Sequence, residues 1–227
     1  MIISGIQKLS LVDYEGKTAC TVFTSGCNFK CPFCHNSGLA YGKEQELNIN
    51  DILDYLSKRK TLLDAVCISG GEPTLHSDLP EFIKVIKDMG YLIKLDSNGT
   101  NPDMIKTLVE NKLIDYIAMD IKNSYTNYNT ISGCNVHIDN IKQSIKYVMN
   151  SGIDYEFRTT LVQEFHTTDD IIEISNMISG AKKYYLQKFK DNENCISSGL
   201  NEIPKAKALE YQKILQEKIP NTYLRGY

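Results

Sequence analysis

Three cysteines lie close together near the N-terminus, and their spacing indicates metal chemistry. Cys27, Cys31 and Cys34 fall within one short segment of a chain that has seven cysteines in all. A chain of this length does not need disulfides for stability, so crowded thiols point to a metal or to redox chemistry. Three thiolates can each bind one iron of a 4Fe–4S cluster and leave the fourth iron open to another ligand. The segment therefore predicts a cluster site with one open iron.

Two other kinds of site would use the same segment. A zinc site would need His35 as its fourth ligand, but His35 directly follows Cys34, and adjacent residues are poorly spaced for two ligands of one tetrahedral ion. A thiol–disulfide site is the other alternative, because Cys31-Pro32-Phe33-Cys34 resembles the active site of glutaredoxins. Cys27 would then have no role, and the chain is much longer than those proteins. The residues favour the cluster and leave both alternatives open.

Polar motifs follow three later hydrophobic runs of the sequence. Each motif has an ordinary explanation when taken alone, since Gly-Gly and Asn-Gly mark turns and an Asp–Lys pair is usually a solvated loop pair. Their order along the chain, each one after a predicted strand, indicates a common site. The motifs are Gly70-Gly71-Glu72, Asp96-Ser97-Asn98 and Asp120-Ile121-Lys122.

Six βα units are predicted to position these motifs. Consecutive βα units imply a parallel sheet with right-handed crossovers and helices outside. Because a full eight-unit barrel usually takes about 250 residues, six units predict an α/β fold built as a partial (β/α)6 TIM-like barrel, with functional groups at the carboxyl ends of the strands. No linker or repeat divides the chain, so we expect one domain over 1–227. The strands are predicted at 17–24, 64–69, 91–96, 116–121, 155–161 and 183–190, with helices at 50–60, 79–89, 141–149, 169–178 and 204–218 and one beginning at Pro102.

Composition and charge exclude several classes of protein. The net charge is -3 and the basic residues are scattered, so nucleic acid is not a predicted partner. No window approaches the 18 or so uninterrupted apolar residues of a membrane span, so we expect no membrane association. The N-terminal segment lacks the basic and apolar regions of a signal peptide, and we therefore expect a cytoplasmic protein.

The cysteine segment resembles the signature of the radical S-adenosylmethionine (SAM) superfamily. It has the spacing Cys-x3-Cys-x2-Cys with an aromatic residue, Phe33, before the third cysteine. The Gly-Gly-Glu, Asp-Ser-Asn and Asp-x-Lys motifs are similar to those that contact SAM in this superfamily and its glycyl-radical activating enzymes. The resemblance implies a 4Fe–4S cluster on Cys27, Cys31 and Cys34 and SAM as cosubstrate. The SAM-binding residues that it implies are Phe33, Gly70, Gly71, Glu72, Asp96, Ser97, Asn98, Asp120 and Lys122.

Within the superfamily, Cys34-His35-Asn36 and the chain length resemble the glycyl-radical activating enzymes, and the segment 9–17 resembles the activating proteins of anaerobic ribonucleoside-triphosphate reductase. The resemblance implies reductive cleavage of SAM, removal of a hydrogen atom from a glycine of a partner glycyl-radical enzyme, and a flavodoxin- or ferredoxin-type electron donor. Glu15 departs from that group, which commonly has proline there. The alternatives are a pyruvate formate-lyase-type activating enzyme, a small-molecule enzyme like 7-carboxy-7-deazaguanine synthase, and a non-catalytic thiol or metal protein.

Several residues outside the motifs also carry expectations. Phe189 stands where pyruvate formate-lyase activases have a histidine near the adenine, but a phenylalanine in a strand is more often a core residue. Arg158 is expected to form a surface ion pair. Cys67, Cys134 and Cys195 are too far apart in sequence for a second cluster and are predicted to be buried thiols. The remaining histidines, His76, His137 and His166, are expected on the surface or in loops.

Overall fold

Eight β-strands form one sheet in which neighbours along the chain are also neighbours in space. The computed structural model describes residues 1–227. β1 is antiparallel to β2, all later pairs are parallel, and β1 and β8 do not pair with each other, so the barrel is open between them. The strands are β1 Ile3–Ser10, β2 Ala19–Thr24, β3 Ala65–Gly70, β4 Leu92–Ser97, β5 Tyr116–Asp120, β6 Asp154–Leu161, β7 Tyr184–Lys188 and β8 Thr222–Arg225.

Helices connect the parallel strands, and their starts follow from local capping. Asn48 accepts a hydrogen bond from the amide of Asn50 at the start of α2, Asn101 precedes Pro102 at the start of α4, and Thr167 forms a capping box with Asp170 at α7. The helices are α1 Ser37–Ala40, α2 Ile49–Arg59, α3 Leu79–Asp88, α4 Pro102–Glu110, α5 Tyr128–Ser132, α6 Ile138–Asn150, α7 Thr168–Met177 and α8 Lys205–Gln216, with a 3-10 turn at Pro73–Leu75. None has the length and apolar character that a membrane span requires.

The two faces of the sheet differ in chemistry. Ile68, Ile93 and Ile117 are fully buried in the main apolar cluster, which they share with helix side chains, so this is the outer face of the barrel. Because side chains alternate along a strand, their neighbours Lys94 and Ala118 lie on the inner face. At these positions the inner face therefore carries small or polar side chains.

The loop between β1 and β2 closes the amino end of the inner face. Its Tyr14 packs on Tyr116 with ring centroids 5.5 Å apart, within a separate small apolar cluster that also contains Cys67. This end of the barrel is filled by side chains. The polar motifs lie at the opposite, carboxyl end of the sheet.

The predicted α/β partial barrel is confirmed, and the six predicted strands correspond to β2 to β7. β1, β8 and the short helices α1 and α5 were not predicted. β1 contains Gly5 and exposed polar residues, so it lacks an alternating apolar signal, and β8 has only four residues. Pairing with a neighbouring strand, rather than local sequence, makes these two segments strands.

Candidate cluster and cofactor site

The cysteine loop joins β2 to α1 and carries all three thiols of the motif. Cys31 is buried, Cys27 and Cys34 are half-buried, and none is in a disulfide. Cys27 Sγ accepts a hydrogen bond from the amide of Phe29 at 3.3 Å, and the amide of Cys34 donates to the carbonyl of Cys31 at 2.9 Å. No three His, Cys, Asp or Glu side chains are close enough together to hold one metal ion. A cluster instead takes one thiolate on each of three separate irons.

Burial dominates the thiol chemistry of the loop. It raises the pKa of Cys27 to about 11, and it raises the pKa of Cys31 to about 12 against the opposing charge of Lys122. A neutral thiol is a poor metal ligand, so the positive charge of iron is needed to bind these groups as thiolates.

Gly70 and Gly71 bring the end of β3 against the cysteine loop. A Cβ on Gly70 would lie 2.3 Å from the backbone N and O of Thr24, and one on Gly71 would lie 2.0 Å from the carbonyl O of Gly26. The amide of Glu72 donates to that same Gly26 carbonyl at 2.8 Å. The two glycines are therefore required by backbone contact between neighbouring loops.

Glu72 holds the loops after β3 and β4 together from a fully buried position. Its carboxylate accepts hydrogen bonds from Thr74 Oγ1 at 2.5 Å, from Ser97 Oγ at 2.9 Å and from the amide of Asn98 at 2.6 Å. Burial raises the pKa of Glu72, and these hydrogen bonds oppose that effect. Because its carboxylate oxygens already accept these hydrogen bonds, the main role of Glu72 is to hold the two loops together.

Asn98 links the β4 loop to the cysteine loop. Its Nδ2 donates to Asn28 Oδ1 at 2.8 Å and lies 4.0 Å from Cys27 Sγ, while Thr100 Oγ1 donates to its Oδ1 at 2.7 Å. Asn28 Nδ2 donates in turn to Thr100 Oγ1 at 2.9 Å. Sequence reasoning identified Asn98 but missed Asn28 and Thr100.

Arg158 lies between two acidic side chains at the ends of β4 and β5. Its Nε is 2.9 Å from Asp120 Oδ1, and its Nη1 is 3.4 Å from Asp96 Oδ1. Lys122 pairs with Asp120 at 2.9 Å, and Lys94 pairs with Asp96 at 3.0 Å. Burial alone would raise the pKa of Asp120, but Arg158 and Lys122 lower it to about 2. Three cations thus face two carboxylates, an excess of one positive charge.

A small polar cavity of about 60 Å³ lies at this edge of the sheet. No hydrophobic side chain lines it, and the buried Oδ1 of Asp96 has Lys94 and Arg158 as ion-pair partners. Seven of the nine residues predicted to bind SAM line the cavity, and Phe33 and Lys122 do not. Its lining is Ser69, Gly70, Gly71, Glu72, Asp96, Ser97, Asn98, Asp120 and Arg158.

Phe33 and Lys122 lie near each other. Lys122 Nζ is 5.9 Å from the Phe33 ring, and Phe33 packs edge-on against Phe189 with centroids 6.4 Å apart. Phe189 is fully buried and also contacts His35, at 5.5 Å between ring centroids. From within the core, Phe189 therefore packs against the residues on either side of Cys34, the third cysteine of the motif.

Two expectations about individual residues were wrong. The Arg158 side chain is only 12% exposed, so its ion pairs are internal rather than superficial. His166 lies in the loop before α7, which agrees with the expected surface or loop position, but it is buried there, with Nε2 3.0 Å from the carbonyl of Lys122. Cys67 is a buried thiol as predicted, whereas Cys134 and Cys195 are half-buried. Lys94, which was not considered, could have been found because it lies two residues before Asp96 on one strand and so shares its face.

Comparison with known proteins decides the family. Residues 21–178 match the family model of the Radical SAM superfamily. The chain belongs to that superfamily. Radical SAM proteins use a 4Fe–4S cluster and SAM, and these are the cofactors of this chain. The thiols and the polar cavity, which is lined by both carboxylates and Arg158, fit the two groups, because irons take thiolates and the amino-acid end of SAM carries both an ammonium and a carboxylate.

Relatives cover nearly the whole of this radical SAM chain. It is 32% identical over 235 residues to a proposed glycyl-radical enzyme activating enzyme of Methanocaldococcus jannaschii, across 99% of this chain and 95% of that protein. It is 34% identical over 131 residues to pyruvate formate-lyase-activating enzyme of Listeria monocytogenes, across 53% and 52% of the two chains. The crystal structure of SuiB from Streptococcus suis shares the fold, with a TM-score of 0.70 at 16% identity, over 89% of this chain and 48% of that one.

Proposed function

We propose that this radical SAM protein generates a glycyl radical on a partner enzyme. One observation carries the proposal: the loops after β2, β3 and β4, which bear the cysteine, Gly-Gly-Glu and Asp-Ser-Asn motifs, are hydrogen-bonded into a single structure beside a polar cavity. The full-length similarity to a proposed activating enzyme supports a protein as the substrate.

Cys27, Cys31 and Cys34 are the proposed ligands of the cluster. The three thiols would hold the cluster, which would supply the one-electron reduction of SAM that leads to removal of a hydrogen atom from a glycine of the partner. The role of the chain is to hold SAM against the open iron and to exclude water from the radical.

The polar cavity is the proposed site for the amino-acid end and ribose of SAM. The Asp96 carboxylate, which lines the cavity, can also accept a hydrogen bond from an ammonium or a hydroxyl group. Lys122, near the cysteine loop and 5.9 Å from the Phe33 ring, is suited to a carboxylate. Glu72 and Asn98 position the loops that form the cavity, and Gly70 and Gly71 allow those loops to approach.

The partner that we propose is anaerobic ribonucleoside-triphosphate reductase, with a flavodoxin- or ferredoxin-type protein as the electron donor. β1 and β8 are the two edges of the sheet and do not pair with each other, and we infer that a segment of a protein substrate reaches the inner face between them. The segment 9–17, which resembles the activating proteins of that reductase, supports this target over a pyruvate formate-lyase.

An anaerobic assay tests the radical chemistry. Reconstituted protein is mixed with SAM and dithionite, and 5'-deoxyadenosine is measured for wild type, Cys31→Ala and Cys134→Ala. We expect product from wild type and from Cys134→Ala, whose thiol lies outside the motif, and none from Cys31→Ala. A fully loaded wild type that forms no product would contradict the proposal.

Co-expression tests the partner. The electron paramagnetic resonance (EPR) spectrum of anaerobic ribonucleoside-triphosphate reductase should show a glycyl radical only when the active protein is present. A radical in pyruvate formate-lyase instead would reassign the target. Turnover of a small pterin substrate, with no radical in either partner, would refute activation of a protein.

A further inference from the structure

Lys30 lies inside the cysteine loop, and its side chain folds back onto that loop. Nζ donates hydrogen bonds to the carbonyl of Cys27 at 3.2 Å and to the carbonyl of Ala40 at 2.8 Å. It also lies 4.4 Å from the ring centroid of Tyr41. A lysine ammonium has three N–H donors, and these three acceptors match them. The side chain is therefore a fixed part of the loop.

The backbone of Lys30 is held equally firmly on the opposite side. Its amide donates to the carbonyl of Ser132 at 2.8 Å, and a Cβ on Gly133 would lie only 2.3 Å from its carbonyl oxygen. Lys30 thus joins the turn between Cys27 and Cys31 to α1 on one side and to the end of α5 on the other. Two of the three motif cysteines are positioned through it.

The charge of Lys30 has no carboxylate partner. It takes part in none of the ion pairs of the chain. The other titratable groups around it are the Tyr41 ring, the thiol of Cys134 and Lys43, whose Nζ is 5.2 Å from the same ring. Three thiolates outweigh the positive charge of an oxidised 4Fe–4S core, so a cluster bound by Cys27 would place an anion on the same loop as this cation. Lys122 is a further cation, which acts on the Cys27 and Cys31 thiols.

We propose that Lys30 is the counter-cation of the cluster, a positioning residue that also favours the reduced state. The proposal rests on the ligand assignment made under Proposed function. Reduction adds one negative charge to a cluster that is already anionic, and a fixed cation beside it stabilises the more negative state. Lys30 therefore raises the reduction potential, which eases electron delivery by the donor.

Potentiometric EPR titration of the reconstituted protein tests this role without reference to activity. We compare wild type with Lys30→Met, Lys30→Arg and Lys43→Met, after measuring iron and sulfide content. At the wild-type midpoint, we expect the ratio of reduced to oxidised cluster to fall at least tenfold in Lys30→Met, which corresponds to about 59 mV for a one-electron couple. Lys30→Arg, which keeps the charge, and Lys43→Met, whose lysine is exposed and does not bond to the cysteine loop, should stay within about threefold of wild type.

A fully loaded Lys30→Met protein with the wild-type potential would overturn the proposal. If Lys30→Met does not load a cluster, Lys30→Gln replaces it in the titration, because glutamine keeps an N–H donor without the charge. Loading by Lys30→Arg but by neither uncharged variant would support the charge requirement. If none of the three variants loads a cluster, the loop requires the shape of the lysine side chain rather than its charge, and the proposal is overturned. A cluster that persists in Cys31→Ala would instead refute the ligand assignment.

Discussion

At the scale of single residues, Arg158 has the largest effect on the charge of the site. It contacts Asp96 and Asp120, two carboxylates on adjacent strands that would otherwise repel each other in a buried position. Burial opposes ionisation of both, yet Arg158 and the nearby lysines lower the pKa of both groups. The two carboxylates are therefore kept ionised, which the proposed contact with SAM requires.

Replacing Arg158 with methionine should destabilise the chain in a pH-dependent way. Removing one partner of a buried ion pair costs about 3–5 kcal/mol, measurable as a lower free energy of unfolding in urea at pH 7. Because the folded pKa of Asp120 is below its unfolded value, wild type gains stability above pH 4 or so and loses it as the pH falls towards 2. The variant should show a smaller loss over that range.

Arg59→Met is the matched control for this prediction. Arg59 is exposed on α2, and its guanidinium lies 5.7 Å from the Tyr55 ring. Its replacement should change the unfolding free energy by no more than about 0.5 kcal/mol at either pH. Equal losses in the two variants would mean that Arg158 does not act through the carboxylates.

At the scale of elements, the site is a set of loops that are fitted to each other. The loop after each of β2, β3 and β4 contacts the next through backbone hydrogen bonds, Glu72 and Asn98. None of the loops has an apolar core of its own at this edge. Their arrangement therefore depends on close contact between them, and a small change in one should displace the others.

Gly71→Ala should separate the β3 loop from the cysteine loop. The added methyl group would meet the Gly26 carbonyl at 2.0 Å, and backbone atoms cannot yield without moving the loop. We expect the iron content after reconstitution and the affinity for SAM, measured by isothermal titration calorimetry, each to fall at least tenfold.

Gly152→Ala separates this contact effect from backbone strain. Gly152, unlike Gly71, has a positive φ, of 82°, and nothing lies within 4 Å of its missing side chain. That variant should lose about 1 kcal/mol of stability and keep its cluster. A normal cluster and normal SAM affinity in Gly71→Ala would show that the loops adjust independently.

At the scale of the whole molecule, the sheet depends less on the site than the cysteine loop does. All three proposed ligands belong to that one loop, which adds Phe29, Cys31 and Phe33 to the main apolar cluster, whereas most of the cluster comes from the strands and helices. We expect removal of the cluster by chelator and oxidant to leave the far-ultraviolet circular dichroism spectrum unchanged. Amide hydrogen exchange should increase in 25–41 and in the neighbouring loops, because the cluster stabilises the folded loop only when bound.

Hydrogen exchange of the strands provides the internal comparison for this prediction. β3 to β6 should keep their protection, since their outward side chains are fully buried. Loss of protection in these strands together with the loop would show that the cluster holds the entire fold, as zinc does in small metal-dependent domains.

The sequence by itself determined the order of strands β2 to β7, the helices between them and the positions of the motifs. It could do so because buried parallel strands and amphipathic helices have strong local periodicity, and because successive parallel strands place their following loops at one edge. The cysteine spacing was equally local. These features depend on residues that are near each other in the chain.

Only the tertiary structure decided which partner each polar side chain has. Arg158 contacts Asp96 and Asp120 because β4, β5 and β6 are adjacent, and β1 and β8 are strands because they add to existing edges. From the sequence alone, Lys30 could not be distinguished from a solvated lysine, because only the structure shows the hydrogen bonds from its Nζ to the carbonyls of Cys27 and Ala40. Such contacts join residues that are separated along the chain, and their energies depend on burial, which local sequence does not specify.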